Sequence, residues 1–486
     1  MRSAFRLILL TLLFSTAAVY EALHLSALFS TDVWWHLRTG LWMLQYHTIP
    51  RTGLFSQYSN LPWIASSWGY DVLLAAAYKL FSLRAIPILL MAFKVALAVV
   101  TFLLAWAGRA NVWTAVFLSA IAQYVIANLQ PVPAVLTILF FGLELAVLAQ
   151  SRRSGELRNL FWLPVLFLLW ANLHIQFVIG LLLLGVFLIA LLLEHGLRIA
   201  GATFLSDRIR PLPLSKVGAI TGLSLLCTFA TPYTIHLLPD VVKGLYSSVS
   251  FQYGAEMRAM SFRRPQEFVL MLLVMAAFFA LGRRRSLEVF ELMALVAGTA
   301  LAFRIQRDAW IAVLPAIAVL ADGFRWERVG SDDANAISWN QKALAAALTT
   351  IIFIAAALHL PDRTALLDKI SKNFPVKACD FITNNHLPHP IFNTYSWGGF
   401  LTWYLPEYPV AIDSRVDLYG DEILTSYFQV ITGKDRLDTN PSLASARTLV
   451  LERQSGIADA LERIPVLSAQ YRKLYSDHLA VVFVRQ

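Results

Sequence analysis

Long apolar runs separated by short polar segments fill the first 360 residues of the chain. A run of about 20 apolar residues is long enough to cross the hydrocarbon core of a bilayer as an α-helix. The pattern predicts about eleven transmembrane helices, some of them short. Their ranges are 6–29, 85–107, 111–129, 131–149, 160–173, 176–196, 217–236, 267–282, 287–303, 308–323 and 342–360.

Two further segments, 33–46 and 66–83, have apolar residues at helical spacing but are interrupted by polar side chains. His36 interrupts the first segment and Asp71 the second. Such a pattern is typical of amphipathic helices that lie on the membrane surface. We therefore predict two surface helices within an outer loop that spans residues 30–84.

Beyond residue 360 the apolar runs shorten and alternate between helical and strand-like spacing. This predicts a polytopic α-helical membrane domain at 1–360 followed by a small α/β domain at 361–486. Asp413, Arg415 and Asp417 alternate, which predicts that they share one strand face, as structural residues or as an acceptor-binding edge. Helices are expected at 376–384, 421–432 and 456–464, and strands at 390–395, 410–413, 448–451 and 480–484.

The composition agrees with a lipid environment for most of the chain. Hydrophobic residues make up 58% and charged residues only 15%, whereas soluble proteins carry about 25% charged residues. The net charge of +9 does not require a nucleic-acid partner, because Lys and Arg accumulate in the cytoplasmic loops of membrane proteins. We expect no nucleic acid, and no Cys/His cluster has the spacing of a zinc site.

Basic residues also set the predicted topology. If residues 66–83 lie on the surface, arginines fall in every cytoplasmic loop, at 108–110, 150–159, 197–216, 283–286 and 324–341. The N-terminus is then cytoplasmic and the domain 361–486 lies outside. The alternative for the N-terminal run is a cleaved signal peptide, with Ser15 to Ala17 as a weak processing site.

Under this topology the unusual polar residues gather at the outer face. Asp32 follows the first helix and His36 lies four residues further along, and both are candidate catalytic residues. Lys94, within the second apolar run, is expected to pair with an acid such as Glu144. The other candidate residues, which would bind substrate, are Gln130, Asn172, His174, Lys243, Glu256, Arg304 and Arg307.

Each candidate has a structural alternative. Asp32 could cap the surface helix, and His36 could be an interfacial histidine packed among tryptophans. Asn172 and His174 could satisfy backbone groups at the tip of a helical hairpin, and two arginines could extend to the membrane interface. Those arginines are Arg304 and Arg307.

Several local motifs resemble uncharacterised bacterial members of the GT-C superfamily of integral membrane glycosyltransferases. That superfamily includes oligosaccharyltransferase catalytic subunits, protein O-mannosyltransferases and lipid A aminoarabinose transferases. The order of parts is also similar, with an acidic residue after the first helix, a large outer loop, many short spans and an outer domain. The motifs lie at 32–40, 49–56, 170–174, 397–400 and 413–420.

The resemblance implies transfer of a sugar from a polyprenyl-phosphate-linked donor to an envelope glycan, lipid or protein at the outer face of the bacterial inner membrane. Asp32 would be the base for the acceptor hydroxyl or a ligand of a divalent metal, Mg²⁺ or Mn²⁺. A single base favours inversion of configuration at the anomeric carbon of the sugar. Arg304, Arg307 and Lys243 would stabilise the departing phosphate.

Two features depart from the superfamily's patterns. A WWDYG-like motif is absent from residues 361–486, which argues against a peptide asparagine as the acceptor. His36 stands where a second acidic residue would be expected, which weakens the interpretation of Asp32 as a metal ligand.

The alternative is a non-catalytic membrane protein of the same fold, such as a lipid or polysaccharide transporter or an assembly partner. A transporter would be expected to show an inverted internal repeat, and none is visible in the sequence. The enzyme hypothesis further predicts that Asp32, His174 and Arg307 converge in one outer cavity.

Overall fold

The computed structural model describes residues 2–107, 111–206, 210–239, 241, 248–284, 286–323 and 338–486. The described chain is mostly helical and divides into two compact units. The first unit comprises Met1–His24, Leu90–Ile235 and Gly254–His359. The second comprises Leu25–Leu89, His236–Tyr253 and Leu360–Gln486, so the predicted outer loop shares a unit with the C-terminal residues.

Each predicted apolar run forms one α-helix. The helices are Arg2–His24, Ala85–Ala107, Val112–Val125, Ala134–Ser154, Trp162–Leu173, Phe177–Ile199, Leu214–Cys227, Pro265–Gly282, Val289–Arg304, Trp310–Gly323 and Trp339–Leu358. Among the described residues, six segments are long and apolar enough to cross a membrane, and three further apolar helices are shorter. The predicted helical architecture with several candidate spans is therefore confirmed, while the number of spans stays a prediction.

The outer surface of these helices is itself apolar. In helix Trp339–Leu358, Ala345 and Thr349 are buried, while Ile351 is 61% exposed. Phe279, on helix Pro265–Gly282, is 67% exposed. Large apolar side chains in such numbers on the outside of a helical bundle are typical of a surface that contacts lipid rather than water.

A buried ion pair joins the first and second helices of the first unit. Lys94 Nζ donates to Glu21 Oε2 at 2.8 Å, and both side chains are at least nine-tenths buried. The predicted pairing with Glu144 is wrong. Glu144 instead faces the helix that carries Gly180, because a Cβ added to Gly180 would lie 2.8 Å from Oε2 of Glu144. Sequence spacing along separate helices does not reveal which helices are neighbours.

Replacing Glu21 by glutamine is expected to lower the free energy of unfolding by about 3–5 kcal/mol, because the Lys94 charge is left buried and uncompensated. The measurement is thermal unfolding of the purified chain in detergent. Glu462→Gln is the matched control, since Glu462 pairs with Lys473 at 3.2 Å but both side chains are more than two-fifths exposed. An equal effect of the two variants would contradict the expectation.

The second unit contains the two predicted surface helices, Val33–Tyr46 and Trp68–Phe81, and a four-stranded sheet. The strands are β1 (Ile391–Asn393), β2 (Thr448–Glu452), β3 (Tyr471–Ser476) and β4 (Ala480–Arg485). The order is β1-β2-β4-β3, with β1 parallel to β2 and the other pairs antiparallel. The helices of its C-terminal part are Arg363–Ile370, Val376–Asn384, Gly398–Tyr404, Val416–Ile431, Pro441–Ser445, Gly456–Arg463 and Pro465–Ser468.

One strand prediction in this unit is wrong, and one strand was not predicted. Residues 410–413 do not form a strand, since Val410 makes isolated bridges with Ser56 and Ile391 in the described chain. Strand β3 was not predicted, because it is a largely exposed edge strand whose register shifts at a bulge between Lys473 and Tyr475. A bulge removes the alternation by which a strand is recognised in the sequence.

The predicted strand face of Asp413, Arg415 and Asp417 is also wrong. Residues 413–415 form a turn that leads into helix Val416–Ile431. The Arg415 side chain folds back onto the Asp413 carboxylate, with Nε 2.9 Å from Oδ1 and Nη2 2.6 Å from Oδ2. The alternation therefore reflects a local ion pair rather than a sheet.

Candidate functional site

A glycine allows the two surface helices to approach closely. A Cβ added to Gly40 would lie 1.9 Å from the backbone oxygen of Asp71, a distance that real Cβ atoms do not adopt. Because His36 lies one helical turn before Gly40, this close approach brings its ring to the Asp71 side chain. Nδ1 of His36 lies 2.6 Å from Oδ1 of Asp71, and both residues are buried.

Aromatic rings enclose the His36 imidazole. The Trp35 ring stacks on it with centroids 3.6 Å apart, and the Tyr70 ring meets it edge-on at 5.5 Å. The tryptophan packing that the sequence suggested is present, but the ring also has a carboxylate partner. These two contacts and the bond at Nδ1 hold the imidazole in place.

Asp32 occupies the position before helix Val33–Tyr46, yet its side chain makes no capping hydrogen bond to a described residue. Its carboxylate is half-buried and accepts a hydrogen bond at 3.0 Å from the Thr31 hydroxyl. Residues 32 and 36 are four apart, so they lie one turn apart on the same side of the helix. A carboxylate has about four acceptor sites, so Asp32 keeps capacity for a proton or a cation.

Residues 413–417 support the segment around Asp32 within the same unit. The indole of Trp35 donates to Ser414 Oγ at 3.1 Å, and the indole of Trp63 donates to Asp417 Oδ2 at 2.8 Å. The Arg415 guanidinium lies 4.8 Å from the centre of the Trp63 ring. The motifs at 32–40 and 413–420, far apart in sequence, therefore lie together.

Arg415 is a buried charge with a dense set of partners. It pairs with Asp413 and donates to the backbone oxygen of Leu54 at 2.9 Å, while the Tyr419 hydroxyl donates to Asp413 at 2.9 Å. Burial alone would lower the pKa of Arg415, but the Asp413 carboxylate outweighs it, so the pKa is raised. Arg415 stays charged and holds residues 49–56 against the C-terminal segment.

The glycine pair in the motif at 397–400 also has a packing reason. A Cβ on Gly398 would lie 2.0 Å from the backbone oxygen of Ile412, and one on Gly399 would lie 2.6 Å from that of Thr31. Only glycine therefore permits helix Gly398–Tyr404 to lie against the residues that precede Asp32.

The hairpin candidates in the first unit form a separate cluster. Nδ1 of His174 lies 2.7 Å from the Thr137 hydroxyl, which also accepts from the Trp170 indole at 3.0 Å. Asn172 donates to the backbone oxygens of Leu168 at 2.8 Å and Ala230 at 3.0 Å. Asn172 thus makes the backbone contacts that the structural alternative requires.

The arginine candidates lie beside the loop that begins at Gly254. The backbone of Gln306 donates to Arg258 at 2.9 Å. Arg307 lies 3.6 Å from Glu256 and 3.3 Å from Asp308, and Arg304 ends helix Val289–Arg304 with an exposed side chain. Two exposed cations and the Glu256 carboxylate therefore share one region of the first unit.

The remaining candidates are Gln130 and Lys243. Gln130 is exposed, and its backbone oxygen accepts from Val132 at 2.8 Å. Lys243 lies outside the described residues. Asp32 and His36 belong to the second unit, whereas His174 and Arg307 belong to the first, so their convergence in one cavity stays a prediction.

One group of three acidic residues among the described residues has the spacing to hold a metal ion: Glu288, Glu291 and Asp322. Arg284 already pairs with all three, at 2.6 Å from Glu291, 3.7 Å from Glu288 and 3.6 Å from Asp322. Arg153 lies 3.6 Å from Asp322 as well. The group is an ionic network between helices, and neither Asp32 nor Asp71 belongs to it.

Sequence reasoning missed Asp71, Trp35 and Arg415 as parts of the candidate site. The only signal for Asp71 was its polar character within an apolar helix. Its partner lies 35 positions away, and that contact depends on how the two helices pack. Arg415 lay in a motif that resembled the superfamily, but its pattern was assigned to a strand face.

No family model matches the sequence, and no curated protein matches it. Among solved structures, the oligosaccharyltransferase of Archaeoglobus fulgidus, tethered to an acceptor peptide containing the NVT sequon, is similar with a TM-score of 0.52 and 13% identity. The similarity covers 100% of this chain and 74% of that one. Its complex with an inhibitory peptide and a dolichol-phosphate gives a TM-score of 0.50 at 12% identity, with the same coverage.

ArnT from Cupriavidus metallidurans, bound to undecaprenyl phosphate, has a TM-score of 0.47 and 15% identity, over 97% of each chain. The similarity to the archaeal enzyme extends over the whole length of this chain, including both compact units. The resemblance that the motifs indicated is confirmed at the level of the fold. This chain has the fold of the archaeal oligosaccharyltransferase, as the resemblance to the GT-C superfamily implied.

Proposed function

We propose that this chain is a membrane glycosyltransferase that moves a sugar from a polyprenyl-phosphate-linked donor to an acceptor of the cell envelope. The observation that carries the proposal is the Asp32 carboxylate. It stands at the start of a helix without capping that helix, one turn from the buried His36. The GT-C fold supports the assignment, because the archaeal enzyme of this fold was solved with a dolichol-phosphate and with an acceptor peptide.

The proposed topology has about eleven spans, a cytoplasmic N-terminus and residues 361–486 outside the bacterial inner membrane. The support is the helix formed by every apolar run and the arginines in each predicted cytoplasmic loop. Arg152 and Arg153 are the last basic residues of helix Ala134–Ser154, at the end assigned to the cytoplasm.

In the proposed reaction, Asp32 takes the proton of the acceptor hydroxyl as that oxygen attacks the anomeric carbon. The bond between the anomeric carbon and the phosphate oxygen breaks, and the polyprenyl phosphate leaves with the bonding electrons. One base and a direct displacement give inversion at the anomeric carbon. Cationic side chains stabilise the charge that develops on the phosphate, and Arg304 and Arg307 are the exposed cations assigned to this role.

The residues at Asp32 do not make a complete metal site. One carboxylate suits Mg²⁺ or Mn²⁺, whereas the imidazole of His36 suits zinc better. Nδ1 of His36 is already engaged with Asp71. A structure of the archaeal enzyme contains Zn and sulfate, but the mechanism proposed for this chain uses no metal step.

Replacing either Arg304 or Arg307 by glutamine is expected to lower kcat/KM for the lipid-linked sugar about 10- to 100-fold, because a charge-assisted hydrogen bond contributes about 1.5–3 kcal/mol. The measurement is release of polyprenyl phosphate at varied donor concentration, followed by mass spectrometry. The control is Arg283→Gln, an exposed arginine in a predicted cytoplasmic loop. Equal losses in the control would remove the assigned role of the two arginines.

A further inference from the structure

Asp71 has no part in the transfer as proposed above, yet it is 1% exposed and bonded to a candidate catalytic residue. We propose that Asp71 is a positioning residue that fixes the proton of His36 on Nδ1 and so leaves Nε2 as a proton acceptor one helical turn from Asp32. This inference deepens the proposed function and rests on it.

The proton assignment follows from the chemistry of the pair. An ionised carboxylate can only accept hydrogen bonds, and the Nδ1–Oδ1 distance is 2.6 Å. With the Asp71 carboxylate ionised, Nδ1 of His36 carries the proton of this bond, and in the neutral ring the other nitrogen then has a free lone pair. Nε2 makes no hydrogen bond to the residues that the structure describes.

The surroundings hold the ring in this arrangement. Trp35 and Tyr70 pack on it, and Trp35 is itself held by the hydroxyl of Ser414. Burial raises the pKa of Asp71, and the charges of His36 and Arg415 oppose that rise. Tyr70 lies against the His36 ring as well. A flip of the imidazole would break the bond between Nδ1 and Asp71.

The arrangement gives the proton from the acceptor a path. The acceptor O–H bond breaks and its proton goes to the Asp32 carboxylate. It then passes to Nε2 of His36, which returns Asp32 to its ionised form. The imidazolium that results is stabilised by the Asp71 carboxylate until the proton is released to water, as a buried carboxylate stabilises a catalytic imidazolium in hydrolases.

The first arm of the test measures which ring nitrogen of His36 carries the proton. Full-length chain labelled with [¹⁵N]histidine is studied by NMR in detergent, and His36→Gln identifies the His36 signals among ten histidines. We expect a protonated Nδ1 and an unprotonated Nε2 in the wild type, and a loss of that preference in Asp71→Asn. The same tautomer in both proteins would overturn the inference, whatever the enzymatic activity.

The second arm measures turnover in a double-mutant cycle. Asp71→Asn is expected to lower kcat about 10- to 100-fold, as loss of an orienting group typically does, with KM for the donor unchanged. Added to His36→Gln, it should cost nothing further, because it acts through His36. Additive losses would show a merely structural role and overturn the inference.

Asp71→Glu serves as a second variant, because it keeps the carboxylate and is expected to restore part of the turnover. If Asp71→Asn does not fold, the Glu variant carries both arms of the test, with an intermediate kcat and a retained Nδ1 proton as the expected result. A wild type that transfers no sugar would refute the proposed function, while the NMR arm would still decide the role of Asp71.

Discussion

Turnover by an Asp32→Asn variant is expected to fall about 10²- to 10⁴-fold, the range contributed by a positioned general base. Asparagine keeps the shape of the side chain but cannot take a proton from the acceptor hydroxyl. The Asp32 side chain makes no capping hydrogen bond to the described chain. The free energy of unfolding of the variant should therefore lie within about 1 kcal/mol of the wild-type value. The loss should therefore appear in kcat and not in the amount of folded protein.

The matched control is Asp368→Asn, an exposed carboxylate of the same unit that lies on helix Arg363–Ile370. Both variants lose one negative charge, so a non-specific effect of charge would appear in both. Unchanged turnover in Asp32→Asn would demote Asp32 to a residue at the start of a helix. It would favour the non-catalytic alternative of the same fold.

Gly40→Ala is expected to destabilise the chain by about 3 kcal/mol and to reduce turnover further than the loss of folded protein explains. The new Cβ would lie 1.9 Å from the Asp71 oxygen and 2.8 Å from the Ala75 Cβ. Because backbone atoms cannot move aside as a flexible side chain can, the two surface helices must separate. Separation lengthens the contact between His36 and Asp71.

The measurements for Gly40→Ala are thermal unfolding in detergent and turnover per folded molecule. Gly185→Ala is the control, because an added Cβ there meets no atom within 4 Å and lies within helix Phe177–Ile199. Alanine is favoured over glycine within a helix by about 1 kcal/mol, so the control should be as stable as the wild type or slightly more stable. Wild-type stability of Gly40→Ala would contradict the close helix approach.

Local periodicity predicted the helices well, because apolar runs and helical spacing are encoded along the chain itself. The first surface helix runs over 33–46 as predicted, and helix Ala85–Ala107 also has the predicted bounds. The failures concern features set by distant neighbours or by irregular backbone. They include the partner of Lys94 and the bulged edge strand β3.

The candidate site was predicted less completely for the same physical reason. Asp32 and His36 were visible as polar residues at the end of an apolar run. The contact between His36 and Asp71 depends on the closeness that Gly40 permits, and the support from Ser414 and Asp417 joins segments more than 350 positions apart. No short-range pattern encodes such contacts, although the motifs that resemble the superfamily did mark both segments.

The central claim is transfer of a sugar from a polyprenyl-phosphate-linked donor, and isotope tracing tests it most directly. Envelope membranes with and without this chain are incubated with lipid-linked sugars that carry a ¹³C label in the sugar, and all products are analysed by mass spectrometry. The account predicts that only membranes containing the chain move the label to an envelope glycan, lipid or protein and release free polyprenyl phosphate. Label that remains on the donor in both membranes, with the chain folded and present, would contradict it.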